Sequence, residues 1–308
     1  MSKTGKPTNL LEAIRYFSDV DVATKFVADL RWPDGPTCPR CGSQEYSYLT
    51  TRRIWKCKAC KKQYSVKVGT IFEDSPLGLD KWLPAVWLAA NSKNGISSHE
   101  LGRALGVTQK SAWFMLHRIR LAMQHQSLLK MDGEVEVDET FIGGRARNMH
   151  KDRRKAKITG TGIKDKIVVV GARQRDGEVR ASVVGDRTHS TLHRYVHEHI
   201  KPGSTVYTDT LNSYSGLDRD FSHRTVDHAE QYVSGRVHTN GLENFWALLK
   251  RGLHGPYVRV EPFHLFRYID ERAFTYNRRD LNDAERFEWV LGNASGRRLG
   301  WAEVTGKP

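Results

Sequence analysis

The amino-acid sequence predicts an α/β fold, in which a mixed sheet flanked by helices follows two smaller modules. Three observations predict it. All four cysteines lie between residues 38 and 60, a helical period dominates residues 79–123, and a strand period begins at Gly133. The predicted segments are an N-terminal helix (1–36), a cysteine module (37–72), a helical module (73–130), an α/β domain (131–280) and a tail (281–308).

Composition and charge indicate a nucleic-acid partner. The 308 residues contain 49 Lys and Arg against 35 Asp and Glu, which gives a formal net charge of +14. Such an excess favours a polyanion, either nucleic acid or an anionic membrane. No apolar run approaches the ~20 residues of a membrane span, and no hydrophobic core of a signal peptide follows residues 1–7. We therefore expect a cytoplasmic protein that binds nucleic acid and no membrane.

The cysteine module is predicted to bind one structural zinc ion. After an amphipathic helix over residues 9–30, the chain contains Cys38-Pro-Arg-Cys41, fifteen intervening residues and then Cys57-Lys-Ala-Cys60. Two Cys-x-x-Cys pairs at this separation supply four thiolates for tetrahedral zinc, and unliganded buried thiols would not explain the paired spacing. The fold implied is a zinc ribbon of two short hairpins. Its strands are predicted from the β-formers Ile54, Trp55, Tyr64, Val66 and Val68.

The same region is strongly basic. No acidic residue lies between Glu45 and Glu73. Seven basic residues fall there: Arg52, Arg53, Lys56, Lys58, Lys61, Lys62 and Lys67. This pattern predicts contacts with DNA phosphates, and a solvated charged surface is the alternative.

The helical module has the pattern of a helix-turn-helix. A first helix is predicted over residues 79–90, and a capping box, Ser97-Ser-His-Glu100, begins a second. A tight turn at Gly106 separates it from a third helix capped by Thr108. In this interpretation Gln109, Lys110 and Ser111 begin a recognition helix that faces a DNA groove. Any three-helix bundle could show the same pattern.

Beyond Gly133 the pattern changes to strands. The first strand, within residues 133–144, carries Asp138 and Glu139 near its end. Residues 145–166 have nine basic and two acidic residues and are predicted to form a basic loop. The remaining elements are predicted as strands at 166–171, 178–184, 204–209 and 221–227 and as helices at 191–200, 240–253 and 262–279.

The helix at 240–253 has two unlike faces. Leu242, Phe245, Trp246 and Leu249 make an apolar stripe, whereas Asn240, Glu243, Ala247 and Lys250 lie on another face. Alone, such a polar face is typical of a solvated helix.

Three carboxylates on separate elements suggest a catalytic metal site. Asp138 is on the first strand, Asp209 ends the fourth, and Glu243 is on the late helix. If the first and fourth strands are neighbours and the helix packs across their ends, these oxygen ligands meet. Hard oxygen donors suit Mg²⁺ or Mn²⁺. Two such ions can promote in-line displacement at a phosphodiester, and Lys250 could contact DNA phosphate.

Several motifs resemble a known family. They are Asp138-Glu-Thr-Phe-Ile-Gly-Gly, Tyr207-Thr-Asp209, Tyr276-Asn-Arg278, Gly69-Thr-Ile-Phe72 and the segment His238-Thr-Asn-Gly-Leu-Glu-Asn-Phe-Trp-Ala-Leu-Leu-Lys-Arg-Gly252. They are similar to those of bacterial insertion-sequence transposases with an N-terminal zinc ribbon, the IS1595 family. The resemblance implies an RNase H-like catalytic domain of the DDE type, two divalent metal ions, cutting at transposon ends and strand transfer into target double-stranded DNA. Such a protein would act as a homo-oligomer on DNA, associated with the nucleoid.

Some assignments stay open. The family is often described with Asn as its third catalytic residue, here Asn240, whereas charge and the seven-residue spacing to Lys250 favour Glu243. A Glu271/Arg278 pair resembles a family feature only partly, since Thr275 stands where Arg is expected. Candidate ligands of lower rank are His223, His228 and His238. A non-catalytic DNA-binding regulator, a general nuclease and an inactive copy are the alternative functions.

Overall fold

The computed structural model describes residues 5–124, 127, 129–143, 150–152, 166–226, 238–258 and 260–306. The helices are α1 (Leu10–Phe17), α2 (Val20–Arg31), α3 (Leu79–Asn91), α4 (Ser98–Leu105), α5 (Gln109–Met123), α6 (His189–His199), α7 (Asn240–His254), α8 (Leu265–Asn277), α9 (Asp283–Gly292) and α10 (Trp301–Thr305). The strands are β1 (Tyr46–Leu49), β2 (Ile54–Cys57), β3 (Gln63–Tyr64), β4 (Glu134–Ile142), β5 (Ile167–Gln174), β6 (Val179–Val184), β7 (Thr205–Asp209) and β8 (Ser222–Val226).

The chain divides into two compact units, residues 1–124 with 278–308, and residues 125–277. In the first unit the predicted N-terminal helix is two helices. Asp19 explains the break, because its side chain accepts hydrogen bonds from the N–H groups of Asp21 (2.8 Å) and Val22 (3.2 Å) and so begins α2. Among the described residues, no helix is both long and apolar enough to cross a membrane.

The cysteine module forms a three-stranded antiparallel sheet in the order β1-β2-β3, with two hairpins sharing β2. Trp55 on β2 packs against Tyr64 on β3 and against Trp32. The prediction that Val66 and Val68 lie in strands was wrong, because β3 ends at Tyr64 and a turn follows.

The three predicted helices of the next module are present as α3, α4 and α5. The Ser97 and Glu100 capping box begins α4, and Thr108 caps α5 by accepting from the Ser111 N–H at 3.2 Å. Gly106 ends α4 with a φ of 63°, a left-handed conformation that glycine adopts without strain.

The predicted polar tail was a misinterpretation. Residues 283–292 form α9, and Phe287, Val290 and Leu291 are buried at the helical spacing i, i+3, i+4. Phe287 packs against Trp87 of α3 and Phe17 of α1, with ring centroids 5.0 and 5.5 Å apart. Three apolar residues among many polar ones are a weak signal of a helix in the sequence. Their burial becomes clear only from the packing of Phe287 against α1 and α3.

The second unit is a five-stranded mixed sheet in the order β6-β5-β4-β7-β8. β4 pairs antiparallel with β5 and parallel with β7, so the predicted first and fourth strands are neighbours, as expected. One face packs against α6, with Val135 and Val137 of β4 in that core. The other face packs against α7 and α8. Most of the predicted basic loop at 145–166 lies outside the described residues.

Candidate active site and zinc centre

The four cysteine sulfurs lie close together. The Sγ atoms of Cys38 and Cys60 are 3.7 Å apart, those of Cys41 and Cys57 are 3.6 Å apart, and all four lie within 4.8 Å of one another. A tetrahedral zinc ion with Zn–S bonds of ~2.3 Å requires S–S distances of about 3.8 Å. The Cys60 N–H donates to the Cys57 sulfur and lowers the pKa of Cys57 to about 6, which favours the thiolate that zinc needs. The cluster therefore fits one zinc ion.

Asp138 is placed by the alternation of β4. Its side chain lies on the α7 face of the sheet, since Val135 and Val137 occupy the opposite face. Its Oδ2 atom accepts a hydrogen bond from Trp246 Nε1 of α7 at 2.9 Å. The pairing partner of Asp138 on β5 is Gly171, and a Cβ there would lie 2.7 Å from the Trp246 ring. Because Gly171 has no side chain, the Trp246 indole has room to reach the Asp138 carboxylate.

Three acidic side chains influence one another here. Burial, the neighbouring Glu139 charge and the Asp209 charge raise the pKa of Asp138 to about 7. Burial also raises the pKa of Glu139, whose carboxylate accepts from Tyr214 Oη at 2.9 Å and lies 3.8 Å from Arg187. Asp209 ends β7, where its Oδ1 accepts from the Leu211 N–H at 3.1 Å. Sequence reasoning named Glu139 only as a strand residue and did not identify Trp246 as a donor.

Comparison with known proteins identifies the family of this chain. Residues 130–277 match the family model of the ISXO2-like transposase domain, and residues 19–63 match that of the transposase zinc-ribbon domain. The chain is 32% identical over 105 residues to an uncharacterized transposase-like protein of Haemophilus influenzae, covering 34% of this chain and 85% of that protein. The chain belongs to the IS1595 family of transposases. It is also 29% identical over 278 residues to an uncharacterized protein in transposable element ISH50 of Halobacterium salinarum, which covers 86% of this chain and 92% of the relative.

The helix of this transposase that follows the sheet carries the other predicted site residues. Asn240 and Glu243 are exposed in its first turn, and Lys250 is half-buried further along. In the part of the chain that the structure describes, the cysteines are the one group of three or more His, Cys, Asp or Glu side chains placed to hold a metal ion. Asp138, Asp209 and Glu243 do not form such a group.

The predicted histidine ligands of the transposase have other partners. His223 Nε2 lies 2.9 Å from Thr208 Oγ1. His238 Nδ1 lies 3.6 Å from a Glu136 oxygen. His228 is outside the described residues. Glu271, from the partial family pair, is buried and bonded to Arg272 at 2.8 Å.

The basic residues of the zinc ribbon that were predicted to contact DNA differ in exposure and in the partners they already have. The side chains of Arg52, Lys56, Lys58 and Lys62 are exposed. Arg53 instead forms a two-bond ion pair with Asp21, at 2.6 and 3.1 Å. Lys61 donates to the Lys58 carbonyl at 2.6 Å. Lys67, half-buried, donates to two backbone carbonyls.

The start of the predicted recognition helix is also tied to its surroundings. Gln109 donates to Ser98 Oγ at 2.8 Å, and Ser111 Oγ lies 2.9 Å from Thr108 Oγ1. The Lys110 ammonium lies 4.7 Å from the Trp301 ring centroid. Gln109 and Lys110 are exposed at the start of α5, and Ser111 is half-buried.

Replacing Gly171 by alanine is expected to push the Trp246 ring away from Asp138. The added Cβ would lie 2.7 and 2.8 Å from two ring carbons, and such overpacking costs about 1–3 kcal/mol of the free energy of unfolding. Chemical denaturation of Gly171→Ala and Gly185→Ala would measure it. Gly185 has no neighbour within 4 Å of the added Cβ, so its variant serves as the control. Equal stability of the two variants would contradict the packing described.

The raised pKa of Asp138 predicts a pH-dependent stability. Below about pH 4 the carboxyl is protonated in folded and unfolded chains. As pH rises towards 7 the unfolded chain loses this proton first, so the free energy of unfolding falls. Asp138→Asn cannot ionise and should be more stable than the native protein at pH 8, without added Mg²⁺ or Mn²⁺, by roughly 2–4 kcal/mol. Denaturation at pH 5 should show a smaller difference, and an equal difference at both pH values would refute the explanation.

Proposed function

We propose that this transposase binds transposon ends and catalyses metal-dependent phosphodiester cleavage and strand transfer. The observation that carries the proposal is the pairing of β4 with β7. The registered pair Glu136 and Tyr207 lies two residues before Asp138 and Asp209 on parallel neighbouring strands. By this register the two carboxylates lie level with each other, just beyond the last β4–β7 pair, in a family defined by transposase domains.

Asp138, Asp209 and Glu243 are the proposed ligands of two Mg²⁺ or Mn²⁺ ions. Carboxylate oxygens suit these cations, and positive charge would offset the burial and the repulsion by Glu139 and Asp209 that raise the pKa of Asp138. Bound ions would activate water or a 3′-hydroxyl and stabilise the leaving oxygen. Trp246 orients the Asp138 carboxylate by its hydrogen bond. Lys250, two helical turns after Glu243, supplies a positive charge for DNA phosphate.

Glu243 is the better third ligand by helix geometry. Successive residues of an α-helix are rotated by about 100°, so Glu243 lies about 60° around α7 from Trp246, and Asn240 about 120°. Since Trp246 contacts Asp138, the Glu243 side of the helix is nearer to the site. Glu243→Ala should therefore reduce end cleavage by about 10²-fold or more, and Asn240→Ala by less than about tenfold. Single-turnover rates of the two variants decide between them, and the reverse order would assign Asn240.

DNA binding is proposed for two surfaces. The exposed basic residues of the zinc ribbon supply phosphate contacts, and the start of α5, at Gln109, Lys110 and Ser111, supplies groove contacts. Holding two transposon ends and a target requires a homo-oligomer on DNA. A protein acting in this way works in the cytoplasm of its host, at the nucleoid.

The experiment that tests the proposal offers DNA carrying the native element's ends, and unrelated DNA, to the full-length protein. Each DNA is incubated with Mg²⁺, with Mn²⁺ or with neither ion added. The proposal expects metal-dependent cutting at the ends and joining of the cut ends to a target duplex. Cutting of unrelated DNA without joining would indicate a general nuclease. End binding without cutting would indicate a regulator or an inactive copy.

A further inference from the structure

Glu136 is a buried carboxylate beside the proposed active site. It lies two residues before Asp138 on β4, and its side chain is fully buried. Arg173 Nη1 donates to its Oε1 atom at 3.2 Å and Arg175 Nε at 3.4 Å. The Leu242 N–H, in the first turn of α7, donates to Oε2 at 3.0 Å. A buried charge needs such compensation, and a helix N-terminus supplies part of it.

Glu136 and Asp138 each accept a hydrogen bond from α7, from residues that are one helical turn apart. Glu136 accepts from Leu242, and Asp138 accepts from Trp246. Two residues along a strand span about 6.6 Å, and four residues along a helix span about 6 Å, so the two spacings match. A helix held at both levels cannot slide along the strand without breaking one bond.

We propose that Glu136 is a positioning residue that anchors the N-terminus of α7 on β4 and so sets where Glu243 stands relative to Asp138. The inference rests on the proposed catalytic function. Glu136 acts through the helix and touches no reacting atom.

Arg173 and Arg175, which with Glu136 form the Glu136 cluster, also contact α8 and the start of α7. A Cβ at Gly241 would lie 2.3 Å from Arg173 Nη1, so only glycine lets the guanidinium lie against the start of α7. Arg173 Nε also donates to Tyr276 Oη of α8 at 3.2 Å. Arg175 Nη2 donates to the His238 carbonyl just before α7 at 3.1 Å. The Glu136 cluster thus joins β4, β5, α7 and α8.

The test compares the native protein with Glu136→Gln, Gly241→Ala and Glu134→Gln. Glu134 is the matched control, since it is a carboxylate of the same strand face that bonds Tyr207 and lies 3.6 Å from Arg175. Three quantities are measured for each: end binding, the single-turnover rate of end cleavage, and amide hydrogen exchange over residues 238–246. Thermal unfolding is recorded alongside.

Glu136→Gln and Gly241→Ala are expected to bind ends within about twofold of the native protein, to cut at least about tenfold more slowly and to exchange the amides of 238–246 faster. Glu134→Gln should match the native protein in all three. Native rates and exchange in both test variants would overturn the inference. So would a loss of cutting that follows a general loss of folding and binding. If the native protein does not cut, the proposed function fails, but hydrogen exchange still tests the anchor. Exchange over residues 238–246 that is unchanged in Glu136→Gln and Gly241→Ala would refute it, and faster exchange would support it.

Discussion

Asp138→Ala and Asp209→Ala are each expected to lower the single-turnover rate of end cleavage by about 10³-fold or more. Each removes a proposed metal ligand, and loss of about 4 kcal/mol of transition-state stabilisation corresponds to that factor. The two carboxylates lie just beyond the last pair of the parallel strands β4 and β7. End binding should change little, because the exposed basic side chains of the zinc ribbon lie outside this sheet.

The control for these variants is Asp132→Ala. Asp132 is an exposed carboxylate just before β4, with a 3.4 Å contact from Gln174. It should cut at the native rate. Cleavage by Asp138→Ala or Asp209→Ala at the rate of Asp132→Ala would show that the carboxylates are not the catalytic ligands.

Removal of zinc is expected to unfold the ribbon and abolish tight end binding. Structural zinc sites of this kind contribute roughly 10–16 kcal/mol of apparent binding free energy at neutral pH, more than a three-stranded sheet of ten residues supplies. A chelator that strips the metal, or Cys57→Ser, should lower the zinc content below one ion per chain and reduce the affinity for ends. Zinc content, circular dichroism and end binding measure this together.

Restoration by added Zn²⁺ should reverse the chelator effect, and Ser47→Ala, an exposed change on β1 of the same sheet, should have none. Retained ribbon structure and native end affinity in a zinc-free protein would contradict the assignment.

Local signals in the sequence predicted much of this protein. Two Cys-x-x-Cys pairs predicted the cluster of four cysteine sulfurs, because this spacing places two thiolates on each of two turns. The capping box at Ser97 and the glycine at 106 predicted where α4 begins and ends. The change to a strand period at Gly133 predicted β4, the strand that carries Asp138.

Contacts between distant parts of the chain could not be predicted in this way. Trp246 looked like an ordinary core residue, yet its indole donates to Asp138, 108 positions earlier. Glu136 bonds Leu242 across 106 positions. The one sequence hint was the alternation Val135, Glu136, Val137, Asp138, which places both acids on the same face of β4. α9 was missed because its apolar residues need α1 and α3 for burial.

The most direct test of the catalytic site is to locate bound Mn²⁺ by anomalous X-ray scattering in crystals of the full-length protein with an end duplex. We expect anomalous peaks about 2.1 Å from carboxylate oxygens of Asp138 and Asp209, with Glu243 completing the coordination. Anomalous peaks that lie only at other residues, with no Mn²⁺ coordinated by Asp138 or Asp209, would contradict the account.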